Sequence, residues 1–140
     1  MKHLAFLTLL LTLLFLGTVS AEAANHYVRT GASGNANGND WINAYTTLPA
    51  TLIRGDTYYI ADGNYSAYAF NDAPSGVSVI TIKKAIPSDH GTNTGWDDTF
   101  GNGQAVFGQF TFSTPYWLID GQVGAIWRSE ERRVGKECRS

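Results

Sequence analysis

Residues able to do chemistry gather most densely between Pro87 and Asp98. There Asp89, Asp97 and Asp98 supply three carboxylates, His90 an imidazole and Trp96 a broad aromatic face. Oxygen ligands of this kind hold calcium, and an aromatic face can stack on a sugar. The loop lacks the alternating Asp-x-Asp-x-Asp-Gly spacing of a regular calcium loop and contains no Glu, so its composition favours a solvated loop and leaves the metal question open. Asp56, Asp62 and Asp120 each adjoin a glycine, a pairing that marks turns rather than catalytic carboxylates. Lys83 and Lys84 point to opposite faces if one strand runs through both; the second is placed where the strand ends, and neither is assigned as a base. No residue is singled out as catalytic or cofactor-binding.

The ends of the chain differ from its middle. Met1-Lys2-His3 is a short basic start, and Leu4 to Leu16 is an apolar run interrupted by Thr8 and Thr12, too short for the roughly 20 apolar residues of a membrane span. Ala21-Glu22-Ala23 follows with the small-x-small pattern that a leader peptidase accepts. Residues 1–23 are therefore read as a signal peptide cut after Ala23, with Ala21 or Ala24 as neighbouring alternatives. This predicts a secreted or cell-surface protein with no membrane segment after cleavage. Residues 128–140 are basic, without period, and resemble a one-frame translation of a sequencing-library adapter; they are excluded from the fold. A solvated basic tail is the other reading.

Residues 24–127 then form the body. Arg29, Arg54, Lys83 and Lys84 stand against eight Asp and no Glu, a net charge of −4. Nucleic-acid binding is not expected, because it calls for Lys and Arg clustered on one face. The one cysteine, Cys138, lies in the tail, so an exported body without disulfides must rely on a continuous apolar core.

Short runs of Tyr, Val, Ile, Phe and Trp separated by Gly, Asn, Thr, Ser and Asp predict an all-β fold. Strands are expected at His26–Arg29, Thr57–Ala61, Val79–Lys83, Val106–Ser113 and Tyr116–Ile119. Ile80 and Ile82 share one face opposite Thr81 and Lys83, and Phe110 and Phe112 share one opposite Gln109 and Thr111. Thr47 is a plausible N-cap, and Pro49 suits a first helical turn, so one short helix is predicted before Arg54-Gly55. Ile60 to Ile82 is 22 residues and Ile82 to Val106 is 24, a period that fits a parallel solenoid but leaves a sandwich open.

Four segments carry a family resemblance: His26-Tyr27-Val28-Arg29-Thr30-Gly31, Asp40-Trp41-Ile42-Asn43-Ala44-Tyr45, Arg54-Gly55-Asp56-Thr57-Tyr58-Tyr59-Ile60-Ala61-Asp62-Gly63-Asn64-Tyr65, and Ile80-Thr81-Ile82-Lys83. In this order the chain resembles the opening of the pectate-lyase-like right-handed parallel β-helix proteins. The resemblance implies a truncated right-handed solenoid, with a short N-terminal capping helix over its first rungs. Leu48, Leu52 and Ile53 would face the first rung, and Trp41 and Tyr45 would close its edge.

The resemblance is specific for fold and weak for reaction, since the family spans lyases, glycoside hydrolases, epimerase-like enzymes and non-catalytic surface proteins. A uronate lyase needs a base beside the acidic proton and a cation for the enolate-like intermediate; a glycosidase needs two carboxylates. The resemblance thus implies the N-terminal fragment of a polysaccharide-acting or polysaccharide-binding protein, itself inactive. Calcium is a candidate only for the longer protein, and oligomeric state is left open. A non-catalytic adhesion or surface solenoid is the alternative. An uncovered last rung near Trp127 leads to the expectation that the polypeptide as written aggregates.

Overall fold

Aromatic and β-branched residues at alternating positions favour extended backbone, and the computed structural model, which describes residues 22–122, is built mostly of strands with almost no helix. The apolar run Leu4–Leu16, the boundary at Trp127 and the adapter-like segment 128–140 lie outside the described residues. Eight strands follow one another: β1 (Asn25–Val28), β2 (Thr57–Ile60), β3 (Gly63–Tyr65), β4 (Tyr68–Phe70), β5 (Ile80–Lys84), β6 (Ala105–Phe107), β7 (Phe110–Phe112) and β8 (Trp117–Asp120).

Pairing among these strands is parallel throughout. One sheet has the order β1-β2-β5-β8, and two smaller sheets pair β3 with β6 and β4 with β7. Parallel neighbours need a crossover connection; here β3 and β4 lie between β2 and β5, and β6 and β7 lie between β5 and β8. The run β2-β3-β4 is repeated as β5-β6-β7, each strand beside its counterpart.

Alternation along the strands sorts side chains to two sides. In the four-stranded sheet His26, Tyr58, Ile82 and Ile119 are in register on one side, and Tyr27, Tyr59, Lys83 and Asp120 on the other. The first side joins a core to which all three sheets contribute: Val28, Tyr58, Ile60, Ile80 and Ile82, with Tyr65 from β3 and Phe70 from β4. Stacked rings bind the small sheets, Tyr65 on Phe107 at 4.8 Å and Phe70 on Phe112 at 4.7 Å. Phe70 is fully buried, a burial that contributes roughly 2–3 kcal/mol.

Three expectations are corrected. The predicted capping helix before Arg54 is absent; residues 46–53 form turns and irregular chain, and the only helical turn among the described residues is the 3-10 turn Asp98–Phe100. Seven or so residues rich in Thr and Pro cannot offset the cost of helix nucleation. Their backbone groups bond elsewhere instead: Leu52 N–H donates to Asp72 Oδ1 at 3.0 Å, Ile53 N–H to Tyr58 Oη at 3.0 Å, and Tyr68 Oη–H to Pro49 O at 2.7 Å. Because successive side chains diverge in such chain, Leu48 and Leu52 enter the core while Ile53 is 57% exposed.

The second correction is register. Ile60 lies opposite Lys84, Ile82 opposite Tyr58, and Val106 pairs with Asn64 in a different sheet, so the spacing read from Ile60, Ile82 and Val106 does not mark one repeat. Third, Val106–Ser113 is two strands broken at Gly108-Gln109, and β3 and β4 were not expected. Trp41 is fully buried in a second cluster, and Tyr45, bridged in parallel to Val28 of β1, packs on the main core.

Candidate functional site

The outer side of the four-stranded sheet carries a row that runs across all four strands, Tyr27, Tyr59, Lys83 and Asp120. Tyr27 and Tyr59 stack with ring centroids 5.8 Å apart, and Lys83 Nζ stands 5.8 Å from the Tyr59 ring. Burial raises the ionisation of both phenols above the ordinary tyrosine value, and the Asp89 carboxylate adds to the rise at Tyr59. Lys83 meets Asp89 at 2.5 Å. That bond holds its ammonium protonated beyond the ordinary lysine value, with Asp120 adding charge. Lys83 is therefore a fixed cation and donor rather than a base at neutral pH.

The loop between β5 and β6 covers the tyrosine half of this row. Gly91, at φ +73, passes so close that a Cβ there would lie 2.5 Å from Tyr27 Oη. Trp96 is not exposed as its loop setting suggested. It packs 4.9 Å from Trp41, crosses Phe100 edge-on at 5.9 Å, and carries the His90 ring flat against it at 4.2 Å. Trp41 anchors the loop by donating from Nε1 to His90 O at 3.0 Å and from its backbone N–H to Thr94 O at 3.1 Å. Arg29 stacks on Phe100 at 4.5 Å and donates to Trp41 O. Apolar cover outweighs solvation because Tyr27, Trp41, Tyr59 and Ala85 form a second core into which Trp96 and Phe100 fit.

The loop carboxylates diverge. Asp89 faces Lys83, Asp97 Oδ1 accepts from Thr99 N–H at 2.9 Å, and Asp98 Oδ1 accepts from Trp96 Nε1–H at 2.8 Å. Hydrogen bonds from Thr99 hold the Asp97 carboxyl below its usual range. Among the described residues no three His, Cys, Asp or Glu side chains come together as a metal-binding group.

Beyond the C-terminal ends of β5 and β8 opens a cavity of about 500 Å³ whose lining includes Lys84, Asn102, Gln104 and Gln122. Lys84 continues β5 on the inner side and is 8% exposed. Its Nζ meets Asp62 Oδ1 at 2.5 Å, while Asp62 Oδ2 accepts from Gly103 N–H. Gln122 Nε2 donates to Lys84 O at 2.7 Å. Asp120 Oδ1 accepts from Gln122 N–H at 3.0 Å, the turn role its neighbouring glycine suggested. Asp56 closes the turn at Arg54-Gly55, its N–H donating to Ile53 O at 3.2 Å, while its buried carboxylate lies against Ala24 and His26.

Sequence reading assigned no role to the tyrosines or the amides. Setting Tyr27-Val28 beside Tyr59-Ile60 and Lys83-Lys84 would have exposed the row, but that needs the register. Among the described residues no helix is long and apolar enough to cross a membrane. Compared with known proteins, the chain matches no family model, no curated protein and no solved structure.

Proposed function

We propose that this chain forms the first coils of a right-handed parallel β-helix in an exported protein that binds polysaccharide. What supports the solenoid reading is the repetition of β2-β3-β4 as β5-β6-β7 in parallel register around one core. What carries the ligand reading is the cavity of about 500 Å³ lined by the carboxamides of Asn102, Gln104 and Gln122 together with Lys84. Carboxamides offer donors and acceptors together, as sugar hydroxyls require, and a cavity of this size suits one or two sugar units of a longer chain. Export rests on the leader-like start of the sequence.

A polysaccharide lyase or glycoside hydrolase is the enzymatic form of this proposal, in which further coils supply the reacting groups. An adhesive solenoid without catalysis is favoured by one observation: Asp62, Asp89, Lys83 and Lys84 are committed to ion pairs with one another. Affinity electrophoresis of the purified protein through gels containing neutral or uronic-acid polysaccharides tests binding. Retardation by at least one polymer is expected, weakened about fivefold by Gln104→Ala, the loss of a hydrogen bond worth about 1 kcal/mol. Migration unaltered by every polymer would end the carbohydrate reading. Release of reducing ends or of unsaturated sugars separates the enzymatic form from the adhesive one.

A further inference from the structure

We propose that Asp56 is the seat of the mature amino terminus. Hydrolysis of the Ala23–Ala24 bond leaves an α-ammonium on Ala24 that ion-pairs with the Asp56 carboxylate and fastens β1 to β2. The inference rests on the leader reading of residues 1–23, and it is carried by the geometry around Asp56.

Asp56 is 4% exposed, immediately before β2. Its two oxygens have separate partners: Oδ1 lies 2.9 Å from the backbone nitrogen of Ala24, and Oδ2 lies 2.8 Å from His26 Nε2. Ala24 is also where the chain joins the sheet, since its carbonyl accepts from Thr57 N–H at 2.9 Å. Glu22 and Ala23, just before it, are exposed. A peptide N–H gives a buried carboxylate one charge-assisted bond, whereas an ammonium gives it three donors and the opposite charge that a neutral amide lacks. The site therefore fits the product of cleavage better than the uncleaved chain.

The chemistry is complete with water and a leader peptidase of small-x-small specificity. Water adds across the peptide bond, Ala23 leaves as a carboxylate, and the Ala24 nitrogen takes a proton. The neighbouring cuts do not serve. A cut after Ala21 keeps an amide at Asp56, and a cut after Ala24 removes both the nitrogen at Oδ1 and the carbonyl that accepts from Thr57.

The titratable groups around Asp56 are His26 from β1, which stacks on Tyr58 at 4.6 Å, Tyr58 from β2, and Tyr45, 6.3 Å from the His26 ring. Burial holds Tyr58 up to about 12, so its phenol stays neutral through the range in which an amine titrates. An α-amine ordinarily titrates near about 8, and an ion pair to a buried carboxylate raises that value. Its contribution to stability is present below the ordinary value and lost as pH rises through the raised one.

The test begins with the intact mass of the protein secreted by a bacterial host. A chain starting at Ala24 is expected; one that keeps Met1 overturns the leader reading, and a start at another residue overturns the assignment of the seat alone. The mature protein is then compared with its Nα-acetylated form, which shares His26, by thermal unfolding between about pH 6 and 10. The free amine should melt higher at the acid end and lose that advantage as pH rises, with a proton affinity raised about tenfold, one pKa unit. Asp56→Asn should abolish the difference. Equal melting of the free and acetylated forms would overturn the proposal, as would a pH dependence that survives in Asp56→Asn. If that variant does not fold, the acetylation comparison decides alone.

Discussion

Arg54 offers the sharpest trial of how the three sheets are held together. Its guanidinium donates to Ala73 O at 3.1 Å, Pro115 O at 3.0 Å, Tyr116 O at 2.9 Å and Thr114 Oγ1 at 3.3 Å, and also to Asp72 O. It lies over the Trp117 ring at 4.4 Å. One side chain thus spans the segment after β4 and the segment between β7 and β8. The partly shielded bonds to Asp72 and Thr114 contribute about 1 kcal/mol each, the three exposed ones about 1 together, and the stacking about 0.5. Arg54→Met keeps much of the stem packing and should cost about 3.5 kcal/mol, a fall in Tm of about 14 °C or more for a domain of this size. Arg54→Lys keeps the charge but not the planar fork and should lose about 1–2 kcal/mol. Urea unfolding gives the energies. Amide exchange gives the location: the Leu52 amide, bonded to Asp72, and the Ser113 amide, bonded to Phe70 O, should open faster. A Met variant within about 0.5 kcal/mol of the parent would refute the clamp.

Two further outcomes follow from single residues. Tyr116 holds φ +67 and is 40% exposed, so Tyr116→Gly should stabilise the fold by about 0.5–1 kcal/mol in the same urea assay; a loss of similar size would mean that its ring contacts outweigh the strain. Burial raises Tyr58, Tyr65 and Tyr68 each to about 12, so folded stability is complete below the unfolded tyrosine value near about 10 and drains away as pH climbs toward about 12. Ultraviolet titration should show these phenols ionising late and together with unfolding, and a single early wave from all seven tyrosines would contradict it.

The all-β class was legible because β-branched and aromatic residues alternate where a sheet needs them, most clearly in Ile80-Thr81-Ile82. The missing helix was not, because Thr47 and Pro49 satisfy local helix-start rules, whereas the partners that claim the backbone, Asp72, Tyr58 and Tyr68, come from elsewhere in the chain. Strands β3 and β4 escaped notice for a related reason: each has three residues, too few for a period to show, and their place is fixed by Phe107 and Phe112 stacking from the later copy. The site suffered most. His26 with Asp56, Lys84 with Asp62 and the four-residue outer row are all products of register, and an Asp beside a glycine reads the same in sequence whether it caps a turn or receives a buried imidazole.

The outer row has a polarity that bears on how binding and folding can be separated. At β1 and β2 it is aromatic, and the loop closed by Trp41 and Trp96 covers it, so Tyr27 and Tyr59 are part of a core. At β5 and β8 it is charged, and Lys83 and Asp120 are only half-buried. Removing a tyrosine opens a cavity beneath the loop and costs stability whatever the protein binds. Removing Gln104 disturbs a side chain that is already exposed. Under the proposed reading, substitution at Gln104 should alter affinity without unseating the loop, whereas substitution of Tyr27 or Tyr59 should lower stability first.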